Sequence, residues 1–218
     1  MRFVIEFSIG IIAVLALTLA LLLAIELVLQ RRAAHTLKKL ASTEPLTGLA
    51  NRREFTRLLE SEVSRSLRSG RSFSVLLVDV DRLKPINDRC GHRAGDIAIR
   101  RVANALRVSC RVSDTAARVG GDEFAVILPE STDLVAGQFL ARVRDVLAHH
   151  RRGGEISISG GVAQFPRDAH TAESLLDAVD AALYADKQSR PRITPAWVPA
   201  QSRPSTHLRS QWQTEGIR

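Results

Sequence analysis

Two short apolar runs, residues 117–119 and 124–128, are separated by Gly120-Gly121 and two acids, Asp122 and Glu123. This pattern predicts a β-hairpin, because a tight primed turn needs positive φ and glycine adopts it without steric cost. A hairpin in the middle of the chain breaks the strict alternation of strand and helix that a doubly wound parallel sheet requires. The chain is therefore expected to be α+β, with helices on an antiparallel sheet. Further strands are predicted over 73–80 and 156–163. Helical spacing predicts four amphipathic helices: Phe55, Leu58, Leu59, Val63 and Leu67; Ile97, Val102, Ala103 and Leu106; Phe139, Leu140, Val143 and Leu147; and Leu175, Leu176, Val179 and Leu183.

The flanks have another character. Residues 7–25 form an uncharged run of nineteen, long enough to span roughly 30 Å of hydrocarbon as one helix. Cleavable signal segments have apolar stretches of about 7 to 15 residues and end at a small-residue site, whereas Glu26-Leu27-Val28-Leu29 follows here. Residues 1–30 are read as an uncleaved anchor touching the membrane through 7–29. Arg31, Arg32, Lys38 and Lys39 follow the span and Arg2 precedes it, so the positive-inside bias places the remainder in the cytoplasm. Residues 31–42 read as a helical connector. Residues 191–218 contain Pro191, Pro195, Pro199 and Pro204 and no periodic apolar face, which predicts a disordered tail containing Trp197 and Trp212.

The formal charge of +8 would suit a nucleic-acid binder until it is divided along the chain. Residues 1–42 carry a net +3 and residues 188–218 a net +4, leaving +1 for residues 43–187. The central body is nearly neutral, and nucleic acid is not expected as a partner. Cys90 and Cys110 lie twenty residues apart, so neither a disulfide framework nor a cysteine zinc site is indicated. His149-His150, followed by Arg151-Arg152, reads as a basic helix end facing solvent rather than a metal site.

The run FSVLLVDVDRLKPINDRCGHRAGD begins as a strand apolar on both faces and ends in Asp79 and Asp81. Carboxylates at the end of a buried strand are costly without a positive partner. A divalent cation would answer this, as hard oxygen ligands suit magnesium and leave it positions for phosphate oxygens. Alternation sends Asp79 and Asp81 to one side, with the Val80 carbonyl between them. The alternative is a pair of acids capping the next helix near Lys84. At the hairpin, Gly120 and Gly121 would let a phosphate approach the backbone beside Asp122 and Glu123; an ordinary glycine turn flanked by solvated acids is the other reading.

Taken together, EPLTGLANRREF at 44–55, VDVDRLKPINDRCGHRAGD at 78–96, RVGGDEFAVILP at 118–129, SISGGVA at 157–163 and ALYADK at 182–187 resemble the successive motifs of the GGDEF family, the diguanylate cyclases. The resemblance covers residues 43–190 and implies a palm-like fold similar to nucleotide cyclases, with a ferredoxin-like sheet. It implies that each protomer binds one GTP, and that a homodimer joins two GTP into cyclic di-GMP with loss of two pyrophosphates. Asp79, the Val80 carbonyl, Asp122 and Glu123 would then hold two magnesium ions, with manganese as an alternative. Asp122 and Glu123 would be catalytic, Asp122 assisting removal of the ribose 3′-hydroxyl proton. Asn87 and Asp96 match guanine contacts, since a carboxylate accepts from guanine N1–H and N2–H₂. Lys84 and Lys187 match phosphate contacts, Gly120 and Gly121 the nucleotide loop, and His92 the nucleotide edge.

Arg111-Val112-Ser113-Asp114 resembles the family's RxxD product-inhibition site, although an ion pair at a helix end is an equally simple reading of four residues. The sequence departs from the family at Glu44, where Asp is usual, at Leu83, where Phe is usual, and after Lys187. There the expected glycine and arginine give way to Arg190-Pro191, and Arg192 is the other substitute. The expected protein is an inner-membrane, single-pass bacterial cyclase; the alternative is a silent GGDEF domain acting as a receptor for GTP or cyclic di-GMP.

Overall fold

The computed structural model describes residues 18, 19, 21–30, 42–149 and 154–189. The chain divides into two units, Met1–Thr43 and Glu44–Arg218. In the first, residues 21–30 are helical and exposed along their whole length, with Gln30 Nε2 donating to Glu26 Oε1 at 3.2 Å. Among the described residues no helix is long and apolar enough to cross a membrane. Most of the 7–25 run, all but the last residue of the 31–42 connector and the tail from 190 lie outside the described residues, so the expected anchor is not shown.

The second unit runs β1 (Ala50–Asn51), α1 (Arg52–Ser69), β2 (Phe73–Val80), α2 (Leu83–Cys90), α3 (His92–Ser109), β3 (Thr115–Arg118), β4 (Glu123–Pro129), α4 (Asp133–His149), β5 (Ile158–Phe165) and α5 (Ala172–Ser189). The sheet order is β1-β3-β4-β2-β5. β2 pairs antiparallel with β4 and with β5, and β3 pairs antiparallel with β4. The sheet is nonetheless mixed, not wholly antiparallel as expected, because β1 lies parallel to β3 through Ala50↔Ala117 and Asn51↔Arg118. Two residues leave no periodicity to read, which is why β1 escaped detection. The short α2 is not among the four helices that the apolar spacing predicts: Pro85 stands near its start, and eight residues hold little more than two turns.

Each face of the sheet has its own core. Leu76, Val78, Val80, Phe124, Val126 and Leu128 meet α2, α3 and α4 on one face. Phe73, Val75, Ala125, Ile127, Ala163 and Phe165 meet α1 and α5 on the other. The two-faced burial of β2 explains its continuous apolar run. Phe73 and Phe165 are register partners with ring centroids 5.3 Å apart, and each is fully buried, a contribution of about 1.5–3 kcal/mol per side chain. Alternation therefore leaves the ends of β2 and β4 as the places where polar side chains can emerge.

Candidate functional site

At one end of the central strands, three neighbours bring acids together. Asp79 is the register partner of Glu123 across β2 and β4, and the amide of Val80 donates to the Asp122 carbonyl at 3.0 Å. Asp79 is buried, Asp122 half-buried and Glu123 exposed. Burial pushes the Asp79 carboxyl above the ordinary aspartate range, with Asp122 and Asp81 adding repulsion, although Lys187 opposes the shift. Lys187 Nζ reaches Asp79 Oδ2 at 2.7 Å. Its own partial burial would depress the ammonium, but Asp79, Asp122 and Glu123 hold it above the usual lysine value. Among the described residues, the acids thus share one ammonium, that of Lys187 on α5, and keep an excess of negative charge.

Asp81 lies just past the strand, where Ser159 Oγ donates to its Oδ1 at 2.7 Å. Neither acid caps the next helix: α2 begins after Arg82, whose φ of 58° is left-handed, without any side-chain cap. The capping alternative is therefore set aside. The hairpin turn also differs from expectation, since neither Gly120 nor Gly121 has positive φ. The amides of Val119 and Gly120 both donate to the Glu123 carbonyl, at 3.0 and 3.3 Å, closing a wider loop than a primed two-residue turn. What Gly120 supplies is room: a Cβ there would collide with the Glu123 carboxylate, whereas one on Gly121 would meet open space.

Among the described residues, no three His, Cys, Asp or Glu side chains converge into a ready-made metal set. The donor chemistry still fits a hard divalent cation. Asp79, Asp122 and Glu123 are all oxygen donors, and the buried Asp79 carboxylate is stabilised by any cation brought beside it.

A second group lies across α2 and α3. Asn87 Oδ1 is buried without a hydrogen-bond partner, a costly condition that a ligand donor would relieve. Its side chain rests against Gly95 so closely that a Cβ at Gly95 would overlap it. Asp96 is half-buried in the next position, and Lys84 and His92 are exposed on the first turns of α2 and α3. Gly95 was not singled out in the sequence; the glycine within GHRAGD was the only signal.

Arg111 and Asp114 lie at the other end of the hairpin. Asp114 Oδ2 accepts from the backbone amide of Arg111 at 2.8 Å, and Ser113 Oγ reaches Oδ1 at 3.2 Å. The aspartate thus closes a turn instead of forming the ion pair with the exposed guanidinium that was the alternative reading. Both residues line a small pocket with Pro129, Ser131 and Arg142. Arg142 donates to the Ser109 carbonyl at 3.0 Å and lies over Phe139; only tertiary structure could bring it here from α4. Nearby Cys110 has its thiol pushed up to about 11 by burial and by Asp114, which keeps it protonated and unreactive.

Glu44 and Arg118 were likewise missed as a pair. Burial would raise the Glu44 carboxyl, but the Thr47 hydroxyl, the Leu46 and Thr47 amides and Arg118 hold it below the ordinary glutamate range. Arg118 donates to Glu44 Oε1 at 3.0 Å and to the Gly121 carbonyl at 2.7 Å. The first residues of the domain are thereby tied to the glycine loop, and the Glu in place of the usual Asp still reaches.

Comparison with known proteins bears on the family and the fold. The family model described as "Diguanylate cyclase, GGDEF domain" matches residues 41–192. The chain is 38% identical over 148 residues to the probable diguanylate cyclase DgcJ of Escherichia coli, covering 68% of this chain and 30% of that protein. It is 41% identical over 155 residues to the diguanylate cyclase DgcP of Pseudomonas aeruginosa, covering 68% and 23%. The chain thus spans less than a third of the length of these curated relatives. Among solved structures, the coiled coil and GGDEF domain of DgcB from Caulobacter crescentus, in complex with c-di-GMP, superposes with a TM-score of 0.70 at 31% identity, covering 75% of this chain and 89% of that one.

Proposed function

The chain belongs to the GGDEF family of diguanylate cyclases, and from that premise we propose that it condenses two GTP molecules into cyclic di-GMP. The observation that carries this reading is the cluster of Asp79, Asp122 and Glu123 at one strand end, sharing Lys187. Two bonds form, each from a ribose 3′-oxygen to the α-phosphorus of the other GTP. Two α–β anhydride bonds break, and two pyrophosphates leave. Because each protomer offers one such strand end, the reaction requires two protomers face to face.

Proteins of this family use divalent metal ions. For this chain the ion is taken to be magnesium, two per protomer with manganese as the alternative, held by Asp79, the Val80 carbonyl, Asp122 and Glu123. When bound, it neutralises charge on the phosphate oxygens and favours ionisation of the attacking hydroxyl. Asp122 accepts the 3′-hydroxyl proton. Lys187 and Lys84 steady the phosphates, and Gly120 and Gly121 let them approach the loop backbone. Asn87 Oδ1 and Asp96 accept from the guanine N1–H and N2–H₂ edge, which adenine does not present in that pattern; His92 flanks the nucleotide.

Product is proposed to bind at Arg111 and Asp114 with Arg142 beside them, and to hold protomers where their strand ends cannot meet. Arginine clasps phosphate or the guanine O6/N7 edge. Residues 7–29 are proposed to anchor the chain in the bacterial inner membrane with the domain in the cytoplasm, a reading supported by the uncharged run and the basic residues that follow it. Alkaline extraction of membranes checks it: an anchored chain stays in the pellet.

The deciding experiment incubates the full chain in a membrane mimic with GTP and magnesium and identifies the product by mass. Cyclic di-GMP is expected, with rate per protomer rising with protein concentration. GTP returned intact would overturn the cyclase reading, and calorimetry with GTP and cyclic di-GMP would then decide for the silent receptor.

A further inference from the structure

Lys187 is the cation of the strand-end cluster, and it sits in the last described turn of α5. β5 is an edge strand of the sheet, so part of its backbone looks outward without a strand partner. The outward Gly160 amide donates to Asp186 Oδ2 at 2.9 Å. The same oxygen accepts from Arg144 Nη2 at 2.7 Å, and Arg144 Nε reaches the Ile158 carbonyl at 3.4 Å. Arg144 comes from α4 on one face of the sheet and Asp186 from α5 on the other, so the pair closes around the edge of β5.

Two glycines make the approach possible. A Cβ on Gly160 would come within 2.7 Å of both Leu140 methyl carbons, and one on Gly161 would collide with the α5 backbone at Val179 and Leu183. Leu140 lies one turn before Arg144, and Leu183 one turn before Lys187. The helices are therefore pressed onto the edge strand from both sides just before the point where the ion pair closes. Arg144 and Asp186 side chains are 29% and 23% exposed, which protects the pair from much of the screening that weakens surface ion pairs.

We propose that Arg144 and Asp186 form a clasp over the edge of β5 that positions Lys187 for the nucleotide phosphates and the strand-end acids. Neither residue touches substrate; both act through Lys187, and this role rests on the cyclase reading of the site. Losing the clasp loosens the turn of α5 that carries Lys187 and spreads the lysine over many positions.

The test uses the full chain in a membrane mimic with Arg144→Gln, Asp186→Asn and the two combined, each also in a Lys187→Ala background. Hydrogen exchange reads the clasp without any nucleotide: amides of residues 184–189 and of Gly160 are expected to exchange faster in each variant, while β2 keeps its protection. Unchanged exchange there would overturn the clasp. Steady-state kinetics read the positioning: KM for GTP is expected to rise about three- to tenfold, the range of a coupled contact, with the double variant no worse than either single one. In the Lys187→Ala background the same changes should move KM no further. Equal effects with and without Lys187, or a lower melting temperature with KM unmoved, would show that the pair only braces the fold and would overturn the positioning role. Should the unmodified chain fail to turn over GTP, the cyclase reading falls while hydrogen exchange still reports on the clasp.

Discussion

The two ends of the β2–β4 pair treat their acids in opposite ways. At the far end, Glu130 follows β4 and accepts from Arg71 at 2.6 Å and Arg65 at 2.8 Å; these hydrogen bonds, Arg71's foremost, hold its carboxyl below the ordinary glutamate range. At the near end, Asp79, Asp122 and Glu123 share Lys187, and burial carries Asp79 above the ordinary aspartate range. Among the described residues, one acid has two arginines and three acids have one lysine. The difference teaches where the protein is built to rest and where it is built to receive. A surplus of carboxylate at a partly buried strand end is unfavourable alone and becomes favourable when cation and phosphate arrive together.

The largest expected contrast is in turnover. Asp79→Ala or Asp122→Ala should lower the rate of cyclic di-GMP formation by at least about 10²–10³-fold, the scale on which preorganised charge stabilisation acts. Glu130→Ala should leave the rate unchanged. Product mass and initial rates check all three, with circular dichroism confirming that each is folded. Near-full activity in Asp122→Ala would erase the functional distinction between the ends.

Next in size is product affinity. Arg111 lies toward the Glu130 end, in the pocket that Pro129 and Ser131 also line. Loss of one charge-assisted contact in Arg111→Ala should weaken cyclic di-GMP binding roughly ten- to a hundredfold, without slowing initial turnover. Calorimetry gives the affinity and rates at rising product concentration give the inhibition. Inhibition as strong as in the unmodified chain would confine all nucleotide binding to the near end.

The smallest effects are the most diagnostic, because they have opposite signs. The folded Asp79 carboxyl titrates above its unfolded value, so the folded state binds the extra proton. Stability relative to Asp79→Asn should therefore fall as pH rises through the ordinary aspartate value toward the raised one. Glu130 titrates below its unfolded value, so its contribution is present above the ordinary glutamate range and is lost as pH falls through the folded value. Denaturant melts of the unmodified chain, Asp79→Asn and Glu130→Gln between pH 3 and 7 check both slopes. Parallel slopes would show that the ends are electrostatically alike.

Much of this arrangement was legible in the residues. The continuous apolar run of 73–80 requires burial on both faces and hence a central strand, and its abrupt end at Asp79 locates the polar edge. Gly120-Gly121 followed by two acids marks a chain reversal, and the order of the motifs identifies the nucleotide chemistry. The first two are local, a pattern of alternation and a turn that a few consecutive residues determine through backbone sterics and solvation; the nucleotide chemistry is instead what the resemblance of the ordered motifs to the GGDEF family implies. Tertiary structure alone decided the rest. Neither glycine of the hairpin has positive φ; Gly120 instead leaves room for the Glu123 side chain, which folds back upon it. Glu44 met Arg118, Arg142 joined Arg111 and Asp114, and Arg144 closed on Asp186 across 42 residues of sequence. Such pairs leave no periodic trace, because packing the helices on both faces of the sheet brings together side chains whose distance along the chain says nothing about their distance in space.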